Sequence, residues 1–399
     1  MNSKTSKTLR IALLFNANKV YDRDVISGIG DYINTTKIKW DVYIEEDFRC
    51  STDILENWDG DGIIANFDDV SPSDFITKNN IPAVVLGTSF RDESKYPDMP
   101  YIVTDNYGVI KNAYEHLRDK GITEFAFYGL PSDEKKLWSV EREMNFKDIM
   151  RKTGHKHWVY RGVKTSSLTW GDGMRRLSQW LKSLPIGTGI IAITDSRARH
   201  LLQACEHADI IVPDHLSIIG IDNERVARNL MRVPLSSVDL SCQDMGHEAA
   251  KMLHKIIEGE NDGKKRIVVT STKVHEREST NYRSAKDPYV IKAMHYIRTN
   301  IKNGIKVYHV LDELRVSRSN LEERFKAELG RTVHQEIHET RIKLACSYLE
   351  NTEIPIGDIF SMCGYPSLQY MYSVFSKSLN MTPKQYRESI KKHEAVQTK

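Results

Sequence analysis

The sequence has few of the features that define secreted, membrane-spanning or metal-cluster proteins. Its five cysteines are scattered over 399 residues, odd in number and never spaced as CxxC. This usage favours a reducing compartment and argues against a disulfide framework or a cysteine zinc cluster. No apolar run approaches the roughly 20 residues needed to cross a bilayer. The N-terminus leads into a short apolar strand and not into a signal-peptide core, so we expect a cytoplasmic protein with no membrane partner.

Recognisable catalytic patterns are also absent. No Ser/His/Asp or Cys/His arrangement, phosphate-binding loop or carboxylate dyad stands out. His334 and His338 lie four residues apart on a predicted helix, but Gln335 occupies the place of the metalloprotease glutamate and no third ligand is evident. A solvated or packed helix face is the favoured interpretation of this pair. We therefore predict no catalytic residue, no metal and no cofactor.

Charge is unevenly distributed along the chain. The net charge is +3, whereas residues 286–399 contain 18 Lys/Arg and 13 Asp/Glu, a balance of +5 that leaves −2 for residues 1–285. A positive C-terminal part beside a slightly negative remainder is typical of a nucleic-acid-binding module joined to a different domain.

The first 280 residues alternate between short apolar runs and amphipathic segments. Continuous apolar strands between such helices indicate parallel sheets covered on both faces, and the length favours two lobes. Strands are predicted at Ile11–Phe15, Val42–Glu45, Gly62–Ala65, Ala83–Leu86, Phe125–Tyr128, Trp158–Tyr160, Gly189–Ile193 and Leu216–Ile221. Helices are predicted at 22–33, Tyr107–Lys120, Glu141–Lys152, Trp170–Leu181, Ser196–Ala208 and Cys242–Glu258.

Polar residues follow most of these strands. Parallel sheets bind ligands at the carboxyl ends of their strands, and carboxylates and amides suit a ligand with several hydroxyls. The strand-end residues are Asn16, Asn66 to Asp68, Thr104 to Asn106, Thr194 with Asp195, and Asp222 with Asn223. Asp105 and Asp195 precede predicted helices, so a helix N-cap is an alternative role for each.

The motifs Val103-Thr-Asp-Asn106, Arg142-Glu-Met-Asn-Phe146, Ile191-Ala-Ile-Thr-Asp195, Ile218-Ile-Gly-Ile-Asp-Asn223 and Ser236-Ser-Val-Asp239 resemble, in order, the LacI-type sugar-binding core, which is similar to periplasmic sugar-binding proteins. The resemblance implies an α/β two-lobed periplasmic-binding-protein-like domain (type I) over residues 1–278. It places crossings between lobes near Gly121, Ser241 and Lys264, so that lobe 1 spans about 8–120 and 241–264, and lobe 2 about 122–239 and 265–278. The implied ligand-binding residues are Tyr21, Asp22, Asp105, Asn106, Arg142, Thr194, Asp195, Asp222 and Asn223.

The segment 279–288 is polar, ends in a proline and is predicted as a linker. Beyond it, residues 289–399 are wholly helical in pattern. Helical spacing with Leu321 and Phe325 inward predicts one helix-turn-helix, and Met371 with Phe375 inward predicts a second after a long connecting helix. Two copies of the motif make an internal repeat, so we predict an all-α domain with two helix-turn-helix motifs.

This repeat, ending in Asn380-Met-Thr-Pro-Lys-Gln-Tyr-Arg387, resembles the AraC family's DNA-binding domain over about residues 288–387. In that family each second helix reads a major-groove segment. The implied DNA-binding residues are Arg318, Ser319, Asn320, Glu322, Glu323, Ser367, Gln369, Tyr370 and Ser373, with the two glutamates as discriminators against wrong bases. Arg315 and Asn380 stand where the family usually has glycine, which puts the geometry of the first turn in question.

A LacI-type sugar domain followed by an AraC-type DNA domain resembles a family of pentose-responsive transcription activators. The resemblance implies D-xylose as effector, a double-stranded DNA operator, a homodimer and recruitment of RNA polymerase. Two alternatives stay open. One is a regulator of the same architecture that senses another pentose, a polyol, a nucleoside or other purine, or an amino acid. The other is an enzyme that acts on a sugar, against which the missing acid/base pair argues.

Overall fold

The computed structural model describes residues 8–45, 58–68, 76, 80–88, 90, 93–134, 136–260, 266–270, 273–281, 285 and 287–389. The chain divides into two compact units, of which the first ends at Tyr282 and the second begins at Arg283.

The first unit contains two sheets, one wholly parallel and one with a single antiparallel edge strand. Within the described residues, the first sheet consists of β1 (Leu9–Leu14), β2 (Trp40–Tyr43), β3 (Gly62–Asn66), β4 (Ala83–Thr88), β5 (Tyr101–Thr104) and β11 (Arg266–Val269). Their spatial order is β11-β5-β4-β3-β1-β2, and all pairs are parallel, with Ile11 opposite Gly62. Every residue of β3 is buried, as expected where helices cover both faces of a sheet.

The second sheet repeats this arrangement. It consists of β6 (Phe125–Tyr128), β7 (His157–Tyr160), β8 (Thr188–Ala192), β9 (Leu216–Ile221), β10 (Ser236–Val238) and β12 (Val274–His275). The order is β12-β10-β9-β8-β6-β7, and β12 is antiparallel to β10. The central strands β6, β8 and β9 are short and buried throughout.

The described helices of the first unit are α1 (Val20–Thr36), α2 (Asn106–Asp119), α3 (Leu137–Thr153), α4 (Trp170–Ser183), α5 (Asp195–His207), α6 (Arg225–Asn229) and α7 (Cys242–Ile257). Helices α1 and α7 pack with their backbones in close approach. A Cβ at Gly28 would collide with the Gln243 carbonyl oxygen, and one at Gly246 would collide with that of Val25. Glycine is therefore required at both positions of this crossing.

Two of the predicted lobe boundaries are wrong. Helix α2 packs on the second sheet, where its Leu117 side chain lies against Gly189 of β8, so the first crossing falls at Asp105 and not near Gly121. Strand β11 pairs with β5 of the first sheet, so the third crossing lies between β11 and β12 and not near Lys264. The amphipathic pattern of a helix or the apolar run of a strand shows that it is buried, but not against which sheet. The return passage between β10 and α7 runs through residues 239–241.

The predicted linker also begins too early. Ser279 and Thr280 are buried in the first unit, and the Ser279 hydroxyl donates to the Ile218 carbonyl at 2.6 Å. The other end of the predicted linker belongs to the second unit, where Asp287 caps a helix by accepting from the Tyr289 amide at 2.8 Å. The polar composition of this segment did not indicate that its two ends belong to the folded units. These side chains bond to backbone groups, so no apolar residues mark their burial.

The described part of the second unit consists of helices and the turns between them. Its elements are α8 (Pro288–Asn300), α9 (Val307–Leu314), α10 (Arg318–Leu329), α11 (Val333–Asn351), α12 (Ile356–Met362), α13 (Leu368–Leu379) and a final helical stretch at 383–389. Ser317 caps α10 and Ser367 caps α13, each by accepting a backbone amide. Leu321, Phe325, Met371 and Phe375 are fully buried, as predicted, which fixes the outward faces of α10 and α13.

The first helix-turn-helix keeps its turn despite the arginine. Arg315 adopts the left-handed conformation at φ 53° and ψ 45°, immediately after α9. We expect Arg315→Gly to stabilise the second unit by about 0.5–1 kcal/mol, because a side chain in this region is strained while glycine is not. Urea unfolding followed by helical circular dichroism measures the shift. Asn380→Gly is the control, since asparagine tolerates its φ of 54° and the change should be smaller. An unchanged or lower midpoint for Arg315→Gly would contradict the expectation.

Candidate ligand cleft and DNA-reading surface

A cavity of about 640 Å³ opens in the first unit between parts of both lobes. Its walls include the first turn of α1, the residues that follow β9, the passage at residues 239–241 and the start of α7. The polar side chains lining it include Arg23, Asp24, Asp222, Asn223, Asp239 and Lys273. A cleft of this volume suits a small molecule, and the polar lining suits one with many hydroxyls.

Asp222 is an acceptor in this cleft that the protein leaves open. Its backbone has a φ of 107°, and its amide donates to the Val238 carbonyl at 3.0 Å. Within the described residues, its carboxylate accepts no hydrogen bond, although it lines the cavity. Burial raises the pKa of Asp222 well above the usual carboxyl range, and the charge of Arg142 opposes that shift. A desolvated carboxylate without a donor is poised to accept from a ligand hydroxyl.

Arg142 is a buried cation whose charge interacts with that of Asp222, although Arg142 does not itself line the cavity. Its Nε donates to Asn106 Oδ1 at 2.9 Å, and Nη1 donates to the Ile193 carbonyl at 2.8 Å. The guanidinium lies 4.9 Å from the Trp138 ring centroid, and burial lowers its pKa against the opposing charge of Asp222. In the described part of the chain Nη2 makes no hydrogen bond. Arg142 is therefore held rigidly with one donor group left for a ligand.

On the first lobe, the predicted residues are engaged in the protein itself. Buried Asp22 accepts from the Asn16 amide and from Asn66 Nδ2, both at 2.7 Å, so it ties two strand-end loops together. The Tyr21 hydroxyl lies 3.1 Å from Thr104 Oγ1, and burial raises its pKa. These side chains are bonded within the protein and do not line the cavity, whereas Asp222 and Arg142 offer unsatisfied groups.

Other predicted residues hold the strand ends of the second lobe. Asp195 Oδ1 accepts from Ser237 Oγ and Oδ2 from the Glu224 amide, both at 2.7 Å, and burial raises its pKa to about 7. Thr194 caps α5 by accepting from the Arg197 amide. Asn223 donates to Asp239 at 3.3 Å and accepts from Arg277 at 2.9 Å.

The helix-cap alternative holds for Asp105 but not for Asp195. Asp105 accepts from the Gly108 amide at 2.8 Å as the N-cap of α2. At α5 the cap is Thr194, which leaves the Asp195 carboxylate for the strand-end bonds described above. Asp24, Asp239, Arg23 and Lys273 were missed, because none of them follows a predicted strand.

In the second unit, the predicted DNA-facing residues lie on the outer faces of α10 and α13. The exposed members are Arg318, Ser319, Asn320 and Glu323 on α10, and Gln369, Tyr370 and Ser373 on α13. The prediction that Glu322 faces DNA is wrong. Glu322 is half-buried, and its Oε2 accepts from the Val333 amide at 3.2 Å. The start of α11 supplies unpaired amides, which make an internal partner available to this glutamate. Glu322 is thus an internal cap and does not point outward.

No described helix is long and apolar enough to cross a membrane. In the same residues, no group of three or more His, Cys, Asp and Glu side chains could hold a metal ion.

Comparison with known proteins places both units in one family. Residues 10–107 match the XylR N-terminal domain, residues 114–280 a periplasmic binding protein-like domain, and residues 310–389 a helix-turn-helix domain. The chain is 49% identical to the xylose operon regulatory protein of Escherichia coli (strain K12), over 96% of this chain and 98% of that protein. The chain belongs to the xylose operon regulator family.

Two further comparisons support the same family assignment. The xylose operon regulatory protein of Haemophilus influenzae is 48% identical, over 96% of this chain and 99% of that protein. A solved structure of a xylose-binding transcription activator superposes with a TM-score of 0.86 at 48% identity, covering 96% of this chain and 99% of that chain. The predicted fold class is confirmed, and so is the prediction of a DNA-binding transcriptional regulator and not an enzyme.

Proposed function

We propose that the chain is a D-xylose-responsive transcriptional activator of genes for xylose uptake and use. The observation that carries the proposal is the identity of 49% with a xylose operon regulatory protein across both units. The cleft is chemically suited to this effector, because a pentose presents several hydroxyls, each able to donate and to accept.

In this mechanism the sugar binds to both Asp222 and Arg142. A sugar hydroxyl donates to the Asp222 carboxylate, and another oxygen accepts from the Arg142 guanidinium, which satisfies two buried charged groups at once. The cavity also has walls from α1, so a bound sugar contacts both lobes. Sugar biases the protein only as far as it binds one lobe arrangement better than the other.

On the DNA side, the exposed faces of α10 and α13 are proposed to read two successive major-groove segments of a double-stranded operator. We further propose that the regulator acts in the cytoplasm as a homodimer that places four reader helices on repeated half-sites and engages RNA polymerase. The positive balance of residues 286–399 favours contact with phosphates.

The test is thermal melting of the purified chain with D-xylose, other pentoses, hexoses, polyols and nucleosides. A ligand that binds only the folded state stabilises it by about 2.7 kcal/mol at a hundred times its dissociation constant. A shift with D-xylose that exceeds all others supports the proposal. A shift with a different compound alone would overturn the effector assignment, and conversion of xylose in the same samples would overturn the regulator in favour of an enzyme.

Gln369 is expected to read one base. It is exposed near the start of α13, and glutamine can pair bidentately with adenine. Gln369→Ala should cost about 1–3 kcal/mol on the preferred operator and relax preference at one base position. Binding to a library of single-base operator variants measures this. Ser376→Ala on the same helix is the control. An even loss over all sequences would contradict base reading and indicate a phosphate contact.

A further inference from the structure

Two histidines and a tyrosine meet at the junction of α11 and α13. His334 Nε2 lies 3.2 Å from His338 Nε2, and His338 Nε2 lies 3.4 Å from the Tyr370 hydroxyl. His334 and Tyr370 are exposed, and His338 is half-buried between them. Three electron-pair donors from two helices therefore face one another at a point that solvent can reach.

The separation of the two nitrogens fits a shared metal ion. Two imidazole nitrogens that each lie about 2.0–2.1 Å from a tetrahedral ion are about 3.3 Å apart, close to the 3.2 Å found between His334 and His338. The pair arises because residues four apart lie on one helix face. The rings are tilted by 63° with centroids 4.4 Å apart, so they meet edge to face and are not stacked.

The surroundings leave this point available. Arg341 is the next cation along α11, and its charge acts on His338, but its Nη2 donates to the Ile305 carbonyl at 2.7 Å, so its guanidinium is already held by the backbone. The Tyr370 ring lies 6.1 Å from His338 and completes one side of the site. Two imidazoles with an oxygen donor suit Zn²⁺, Co²⁺, Ni²⁺ or Cu²⁺ and do not suit Mg²⁺ or Ca²⁺.

We propose that His334 and His338, with the Tyr370 oxygen as third ligand, bind one divalent transition-metal ion of the zinc class. Water completes the coordination shell. The ion joins the connecting helix α11 to α13 and holds the Tyr370 side chain against α11.

The direct test is a titration of the full-length, untagged chain with Zn²⁺ by calorimetry and with Co²⁺ by visible absorption, in the absence of DNA and sugar. Wild type should bind one equivalent at this site. His334→Gln and His338→Gln should each weaken binding by at least the roughly 10–100-fold that even an outer-shell change costs. Glutamine keeps helix propensity and hydrogen bonding but is a poor ligand for these ions. His207 is an exposed histidine at the end of α5, and His207→Gln is the matched control. This variant should still bind one equivalent of metal with the affinity of wild type.

Equal binding by wild type, both site variants and the control would overturn the proposal, because the metal would then bind elsewhere. Tyr370→Phe should weaken Zn²⁺ binding and alter the Co²⁺ spectrum, and no change in either would overturn the third ligand. A second readout rests on the proposed function: Zn²⁺ should weaken operator binding by wild type but not by His338→Gln, because metal withdraws Tyr370 from the reading face. Since metal binding is measured without DNA, failure of operator binding and failure of the site are distinguishable.

Discussion

Replacing Asp222 by asparagine is expected to abolish most of the sugar response and, at the same time, to raise the melting temperature of the sugar-free protein. The carboxylate accepts no hydrogen bond within the described residues, so asparagine breaks none. It also removes a charge whose desolvation outweighs its attraction to Arg142. Loss of a hydrogen bond to a charged group costs about 1.5–3 kcal/mol, which is about 10–150-fold in sugar affinity. Aspartate and asparagine are both enriched at positive φ, so the exchange should add little backbone strain at the φ of 107°.

The pH dependence of the same variant gives an independent readout. Because the folded-state pKa of Asp222 is raised, its protonated form is favoured by folding. Its contribution to stability is therefore fully present below the ordinary carboxyl pKa and is lost as pH rises through the folded-state pKa. Sugar-free wild type should lose stability over that window, and Asp222→Asn should lose less of it. Melting in a series of buffers measures the difference.

Asp209→Asn is the matched control for this prediction. Asp209 also has a left-handed backbone, with a φ of 56°, but it is exposed and does not line the cavity. It should leave both the sugar shift and the sugar-free melting temperature unchanged. Operator binding without sugar should be the same in wild type and both variants. A parallel loss of sugar and DNA binding in Asp222→Asn would indicate misfolding and remove the ligand role.

The strand-end rule explains why part of the cleft was predictable. Asp222 and Asn223 follow a buried apolar strand, and the carboxyl ends of parallel strands converge on the cleft. The rule did not find Asp24 or Asp239, which reach the same cavity from a helix turn and from a lobe crossing. The rule also could not show that the carboxylate of Asp222 is open while that of Asp195 is bonded. The partner that occupies Asp195, Ser237, is 42 residues away in the sequence.

What the sequence could not predict in the helical unit has a similar physical origin. Apolar spacing alone placed Leu321 and Phe325 inside, because burial of a large side chain is a local consequence of helix periodicity. Glu322 was assigned to the DNA face because periodicity cannot register a partner eleven residues away, in this case the Val333 amide. The meeting of His338 with Tyr370 depends likewise on how α11 packs against α13.

The second large effect is expected at Gly364, in the turn between α12 and α13. Its φ is 69°, and a Cβ there would overlap the carbonyl oxygen of Ile301. Gly364→Ala combines a left-handed side chain with a backbone collision and should destabilise the second unit by about 2–5 kcal/mol. Operator binding should fall with it, whereas the stabilisation of the first unit that we expect from xylose should persist. Urea unfolding by circular dichroism and an operator-binding assay measure the two effects.

Gly330→Ala separates strain from collision. Gly330 has nearly the same φ, 66°, but a Cβ there would meet nothing within 4 Å. Its cost should therefore be only the left-handed strain of about 1–2 kcal/mol. The excess cost of Gly364→Ala over Gly330→Ala measures the contact between this turn and the segment after α8, which positions the second reader helix. Equal destabilisation by the two variants would mean that the segment at Ile301 yields freely, and the turn would then not be held by that contact.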